Sequence, residues 1–206
     1  VKTAPALPVA EALQPLLPNG IRRGSTVAVE GSLSLLFALL GAASASGAWC
    51  ALVGFPRVSA ESLAEYGVAL ERCALVPLKT QPKNVGTEWT TAVGALLDAV
   101  DLVAVRPPGG ASRIAPGEVR RLAGRARSKD SVLVPYGAWQ GPDVRLKATT
   151  EKWDGITATG GGRLKSRQVT VSAEGRGAYA RPRRTTLWLP SPAGGITPAN
   201  VVELAG

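Results

Sequence analysis

Between Gly24 and Phe55 the chain reads GSTVAVEGSLSLLFALLGAASASGAWCALVGF, a strand, glycine turn, apolar helix and second strand in the arrangement of a nucleotide-binding loop. That chemistry requires Gly-x-x-x-x-Gly-Lys-Ser/Thr, because backbone amides cradle the phosphates, the lysine neutralises the β/γ charge and the hydroxyl holds magnesium. Here the turn is Gly31, Ser32, Leu33, Ser34, Leu35, Leu36, Phe37. The second glycine is replaced by Leu36 and the lysine by Phe37, and no lysine occurs between Lys2 and Lys79 to serve from a shifted register. Gly31 and Ser32 are therefore expected to join a strand to a helix, with Leu33, Leu35, Leu36 and Phe37 filling what would otherwise be a polar pocket. Residual anion binding at that helix N-terminus stays open.

The remaining inventory excludes more chemistry. Histidine is absent, which removes the usual general base and the commonest metal ligand together. The only cysteines, Cys50 and Cys73, each sit among apolar residues at a predicted strand, so they read as two buried thiols and not as a disulfide framework or a zinc site. No catalytic residue, metal or cofactor is expected.

The second candidate region is RLKSRQVTVSAEGRGAYARPRRTTLW, Arg163 to Trp188, with cations at Arg163, Lys165, Arg167, Arg176, Arg181, Arg183 and Arg184 and aromatics at Tyr179 and Trp188. Along a strand, Arg163, Lys165 and Arg167 alternate, which places all three on one side of a sheet. Such a stripe fits phosphate contacts with bases stacked on the aromatics, a protein partner anchored on arginine and tryptophan, or an ordinary solvated face. Charge is unevenly spread in support of a partner. Residues 1–105 hold 7 basic and 8 acidic side chains, whereas residues 106–190 hold 17 and 6, within an overall net charge of +9.

The elements that must position these groups follow from periodicity. Leu7–Leu17 has helical spacing and is stopped by Pro18, Asn19 and Gly20. Strands are expected at Thr26–Val29, Trp49–Val53, Cys73–Val76, Leu102–Val105 and Val132–Val134, and helices at Leu33–Ser46, Ser59–Tyr66, Glu88–Ala99 and Gly117–Ser128. Short apolar strands alternating with helices predict an α/β fold with a mostly parallel sheet covered on both faces. After Pro142 the alternation of Val144, Leu146 and Ala148, then Leu164, Val169 and Val171, then Thr186 to Leu189, predicts two or three antiparallel strands on one edge, with Gly160–Gly162 as a hairpin loop. Residues 1–190 form one domain in this reading and 191–206 a loose Pro/Gly-rich tail. The apolar run Leu33–Val53, broken by Gly41 and Gly47, reads as a buried helix and strand and not a membrane span, and Val1–Asn19 lacks the apolar core of a secretory signal; a cytoplasmic protein is expected.

Several strings in this order resemble the RecA family core, and more closely its short ImuA-type relatives in bacterial damage-induced mutagenesis. They are LPNGIRRGSTVAVEG before the turn, SGAWCALVGF at the second strand, LAEYGVALERCALVP at the next helix and strand, and AVDLVAVRPP at the strand that carries the magnesium site. The resemblance implies a RecA-like core over roughly Leu7 to Leu189 with each ATPase element replaced. The phosphate lysine falls at Phe37, the catalytic carboxylate near Phe55 or Pro56, and the magnesium-site acid at Arg106. A guanidinium there would repel a magnesium ion by ~4 kcal/mol for unit charges 4 Å apart at an effective dielectric of 20. Asp101 precedes its strand and belongs at the other end of the sheet.

The family further implies a non-catalytic adaptor that binds an ImuB-type Y-family polymerase relative, and through it an error-prone C-family polymerase, in translesion synthesis. A protein that binds single-stranded DNA through the arginine stripe is the alternative, and a SulA-type cell-division inhibitor shares a similar reduced scaffold.

Overall fold

A computed structural model describes residues 5–77, 85–110, 114–156 and 160–199. Among these residues nine strands form the sheet: β1 (Val27–Glu30), β2 (Cys50–Val53), β3 (Cys73–Val76), β4 (Leu102–Val105), β5 (Val132–Pro135), β6 (Val144–Ile156), β7 (Gly162–Gly175), β8 (Arg183–Trp188) and β9 (Thr197–Pro198). The strand order is β3-β2-β4-β5 and then β1-β6-β7-β8-β9; the bridges Thr26 to Leu133 and Val29 to Tyr136 join β5 to β1. β1 to β6 pair in parallel and β6 to β9 antiparallel. This is the α/β architecture expected from sequence, with one refinement. β6, read as antiparallel, runs parallel to β1 through Val27 to Val144 and Glu30 to Lys147, and turns the sheet antiparallel only on its other side.

Alternation along the strands sorts the core into two layers. Cys50, Leu52, Leu102, Ala104, Val132 and Val134 face α1 (Leu33–Ala45) and α2 (Ala60–Glu65), whereas Val53, Val103, Val105 and Leu133 face α3 (Val85–Ala99) and α4 (Pro116–Ser128). α1 is buried on nearly every side, which explains why its sequence is apolar all round. Its N-cap is Ser32, whose Oγ accepts the Leu35 N–H at 3.2 Å. The α1 layer continues over β6, β7 and β8 through Leu146, Val169, Val171 and Leu187. Among the described residues none of those strands contributes to the α3–α4 layer, so no described core covers the opposite face of β6–β8.

Two expectations are corrected. Leu7–Leu17 is not a helix: it folds as a bridge from Leu7 to Ile21 and a single 3-10 turn at Glu11–Leu13. Pro15 lacks the N–H a helix would need and its ring crowds the preceding turn, while the apolar spacing survives as burial of Leu7, Leu13, Leu16 and Leu17. The segment after Pro190 is held at least to Ala199. Ser191 N–H bonds the Gly195 carbonyl, Gly195 N–H reaches Glu65 Oε1 at 3.2 Å, and Thr197 pairs with Trp188. Residues 200–206 lie outside the described residues.

Among the described residues no helix is long and apolar enough to cross a membrane. Both thiols are free; Cys50 is buried and Cys73, expected to be, is half-exposed because β3 is an edge strand. Burial, and then the neighbouring Cys73, push the Cys50 thiol up to about 12, and burial raises Cys73, so neither is an activated nucleophile.

Candidate functional site

The glycine turn sits at the carboxyl end of β1, where a bound phosphate would have to lie. Gly31 adopts φ +84°, and a Cβ there would fall 2.2 Å from the Ala148 carbonyl oxygen, so the β1–α1 turn presses against β6. Beyond it Leu35, Leu36 and Phe37 point into the core, and the Phe37 ring lies 6.3 Å from that of Tyr66. Leu33 is only partly buried. The lysine position is thus occupied by a packed aromatic ring.

A cation does reach this turn, from far along the chain. Arg167 on β7 donates from Nη2 to Ser32 Oγ at 2.8 Å, from Nε to the Leu189 carbonyl at 2.9 Å and from Nη1 to Thr150 Oγ1 at 3.4 Å. Its guanidinium also lies 5.1 Å from the centre of the Trp153 ring. Burial lowers the Arg167 pKa, with Tyr66 and Tyr136 working in the opposite direction. A bulge between Thr150 and Lys152 makes this possible: it shifts the alternation on β6 so that Trp153 stands opposite Arg167. Replacing Arg167 with alanine removes three hydrogen bonds from a charged donor and should lower the unfolding free energy by about 2 kcal/mol. A urea-unfolding change below about 0.5 kcal/mol would show that the clamp contributes little.

The other positions that the RecA resemblance singles out converge at the same end of the sheet. Phe55 is buried against Tyr136 at 6.2 Å, Pro56 is exposed, and Arg106 is exposed with its backbone N–H on the Val53 carbonyl. Asp101 lies at the opposite end, where it accepts Arg23 Nη1 at 2.7 Å and the Trp49 N–H at 2.9 Å, a structural tie. No cluster of metal-ligating side chains occurs among the described residues.

The expected arginine stripe is divided by the structure. Arg167 is committed to the turn, while Arg163 and Lys165 are exposed and without an ion pair among the described residues. A second irregularity, between Asp154 and Ile156, interrupts the regular ladder there. Arg183 and Arg184 are successive on β8 and point to opposite sides. Arg183 shares the side of Ala173 and lies 6.0 Å from the Tyr179 ring, whereas Arg184 stands opposite Ser172. Arg181 is exposed in the turn before β8.

Arg184 belongs to a surface that sequence alone did not reveal. Lys147, Ser172 and Arg184 form one cross-strand row, Thr149, Thr170 and Thr186 the next, and Lys152, Gln168 and Trp188 a third. All nine lie on the side of β6–β8 that contributes nothing to the α3–α4 core. The middle row is tied by a 3.3 Å contact between Thr170 and Thr186 hydroxyls. Lys152 pairs with Asp154, but Lys147 and Arg184 have no ion pair among the described residues. Spacing does not reveal Lys147 and Lys152, because only strand register brings them into the rows of Arg184 and Trp188.

Sheet order, parallel core and the β1–α1 turn define a RecA-like α/β fold. In agreement, the crystal structure of the RadB recombinase superposes with a TM-score of 0.66 at 16% identity, covering 92% of this chain and 97% of that one. The chain belongs to the MT3502 N-terminal domain family, which matches residues 15–141. It is 29% identical over 171 residues to the uncharacterized protein Rv3395c of Mycobacterium tuberculosis (strain ATCC 25618 / H37Rv), covering 80% of each.

Proposed function

We propose that this protein is a non-catalytic adaptor of the ImuA type, docking an ImuB-type Y-family polymerase relative in damage-induced translesion synthesis and reaching an error-prone C-family polymerase through it. The observation that carries the reading is a sheet face outside the described core that holds Lys147 and Arg184 in one cross-strand row, neither with an ion pair among the described residues, and Trp188 two rows along, on a scaffold whose nucleotide turn is filled by its own side chains. Arginine and tryptophan are the residues most enriched at interface hot spots, and an uncovered, hydrogen-bonded sheet face is a flat, rigid platform. Phosphoryl transfer needs a lysine, a magnesium-site acid and a water-positioning group together, and Phe37, Arg106 and Pro56 supply none of them.

The double replacement Lys147→Ala, Arg184→Ala, two exposed cations of one row on this face, is expected to weaken binding to the purified polymerase relative at least ~10-fold, the equivalent of about 1.4 kcal/mol. Thermal unfolding should stay nearly unchanged, because surface substitutions away from packed features stay within about 0.5 kcal/mol. Unaltered affinity would remove this face from the interface. The same cations and Trp188 also suit single-stranded DNA, with bases stacked on the ring. Salt separates the readings: six phosphate contacts would cost ~10³-fold in affinity between 50 and 200 mM salt, and a protein interface far less.

A further inference from the structure

α4 carries Arg120, Arg121, Arg125 and Arg127, and its ion pairs divide them into two sets. Arg121 is paired with Glu118 at 2.7 Å, and Arg125 makes a two-pronged bond to Asp98, its Nε 2.9 Å from Oδ1. Arg120 and Arg127 have no acidic partner among the described residues. They are seven residues apart, two helical turns, and so share one side of α4. Both line a groove of about 480 Å³ whose far wall is Arg176, contributed by the turn after β7. The Arg176 guanidinium lies over Gly141, with Nη2 3.2 Å from where a Cβ would stand.

No acidic side chain lines this groove. The nearby carboxylates are engaged elsewhere: Glu174 with Arg145, and Asp143 with Arg22 and the Thr26 N–H. Three guanidiniums are thereby gathered around one groove with mutual repulsion and no internal counter-charge. Its floor is small, formed by Ala123 and by Gly124, beside which a Cβ would meet nothing within 4 Å. A bulky backbone can therefore approach the helix closely.

We propose that this groove binds the phosphate backbone of duplex nucleic acid, independently of base sequence. Arg120 and Arg127 are separated by about 10 Å along the helix axis, the axial rise of about three nucleotide steps on one strand. Guanidiniums match phosphate oxygens with paired N–H donors. The groove offers no aromatic ring for stacking, which single strands use, and no deep apolar recess to anchor a peptide. It is distinct from the core-free face of β6–β8, so its failure and the failure of the adaptor reading are separable.

The test is fluorescence anisotropy of the whole chain with a labelled mixed-sequence duplex of about 30 base pairs, between 50 and 200 mM salt. Three phosphate contacts predict a ~40-fold loss of affinity over that range, and Arg120→Gln with Arg127→Gln should reduce the loss to ~4-fold. Circular dichroism of the double variant should match the wild type, since neither side chain has a hydrogen bond or ion pair among the described residues. The proposal is overturned if the double variant binds with unchanged affinity and salt dependence, or if the wild type does not bind at 50 mM salt. It is equally overturned if poly-glutamate displaces the duplex at equal charge concentration, which would indicate an acidic protein ligand. Loss of duplex binding in the Lys147→Ala, Arg184→Ala variant alone would move the nucleic acid to the sheet face and sink the groove assignment.

Discussion

Phe37→Lys, which reinstates the phosphate-loop lysine at its expected register, should lower the unfolding free energy by about 4 kcal/mol and confer no magnesium–ATP binding. Phe37 is 5% exposed, sits in the first turns of a helix buried on nearly every side, and packs against Tyr66. Removing the ring forfeits its burial and leaves a cavity, worth ~3–5 kcal/mol for a buried phenylalanine. The introduced ammonium would either desolvate or distort α1 to reach water. Nor would the lysine find the rest of its apparatus. The neighbouring strand ends present Pro56 and Arg106, and Arg167 already holds Ser32. Urea unfolding and calorimetry with magnesium–ATP read both outcomes. A stable variant that binds nucleotide at micromolar affinity would show that the site is one substitution from function, contrary to its geometry.

Gly41→Ala should cost about 3 kcal/mol or more, the upper end of what overpacking a core produces. A Cβ on Gly41 would lie 1.8 Å from the Tyr66 carbonyl oxygen and 2.9 Å from its carbon, and neither is the movable end of a flexible side chain. α1 and the end of α2 are therefore in backbone contact at this point. Helix propensity alone predicts the opposite sign, a gain of about 1 kcal/mol for glycine to alanine in a helix interior. Gly124→Ala on α4 provides the control. A Cβ there meets nothing within 4 Å, so the propensity gain of roughly 0.5–1 kcal/mol should appear undiminished. Urea midpoints for the two variants should move in opposite directions, and equal shifts would refute the close contact.

The core strands and helices were readable because each is local. The apolar runs Cys50–Val53, Leu102–Val105 and Val132–Pro135 and the helix positions between them announce a covered parallel sheet, and the described strands fall within a residue or so of that reading. The Leu7–Leu17 segment failed for a local reason too, since its periodicity was right while Pro15 forbade the helix. What spacing could not convey was register across distance. Arg167 and Ser32 are 135 residues apart in sequence and meet at 2.8 Å. The bulge in β6 that brings Trp153 opposite Arg167, and the rows that align Lys147 with Arg184 across Ser172 and Lys152 with Trp188 across Gln168, depend on strand pairing alone. A stripe of alternating cations therefore looked uniform in sequence, although one member serves the turn and others face solvent.

The clamp of Arg167 on the β1–α1 turn has a regulatory corollary. A nucleotide at such a turn arrives and departs, and the shape of its host follows the supply of ligand. A guanidinium carried on β7 belongs to the chain itself, so its presence at the turn, where it ties α1 to the β6–β8 sheet, does not depend on the supply of a ligand. On the adaptor reading proposed above, this turn would not report metabolite levels, and control would fall to the number of copies present, with timing of synthesis and removal in place of a conformational cycle.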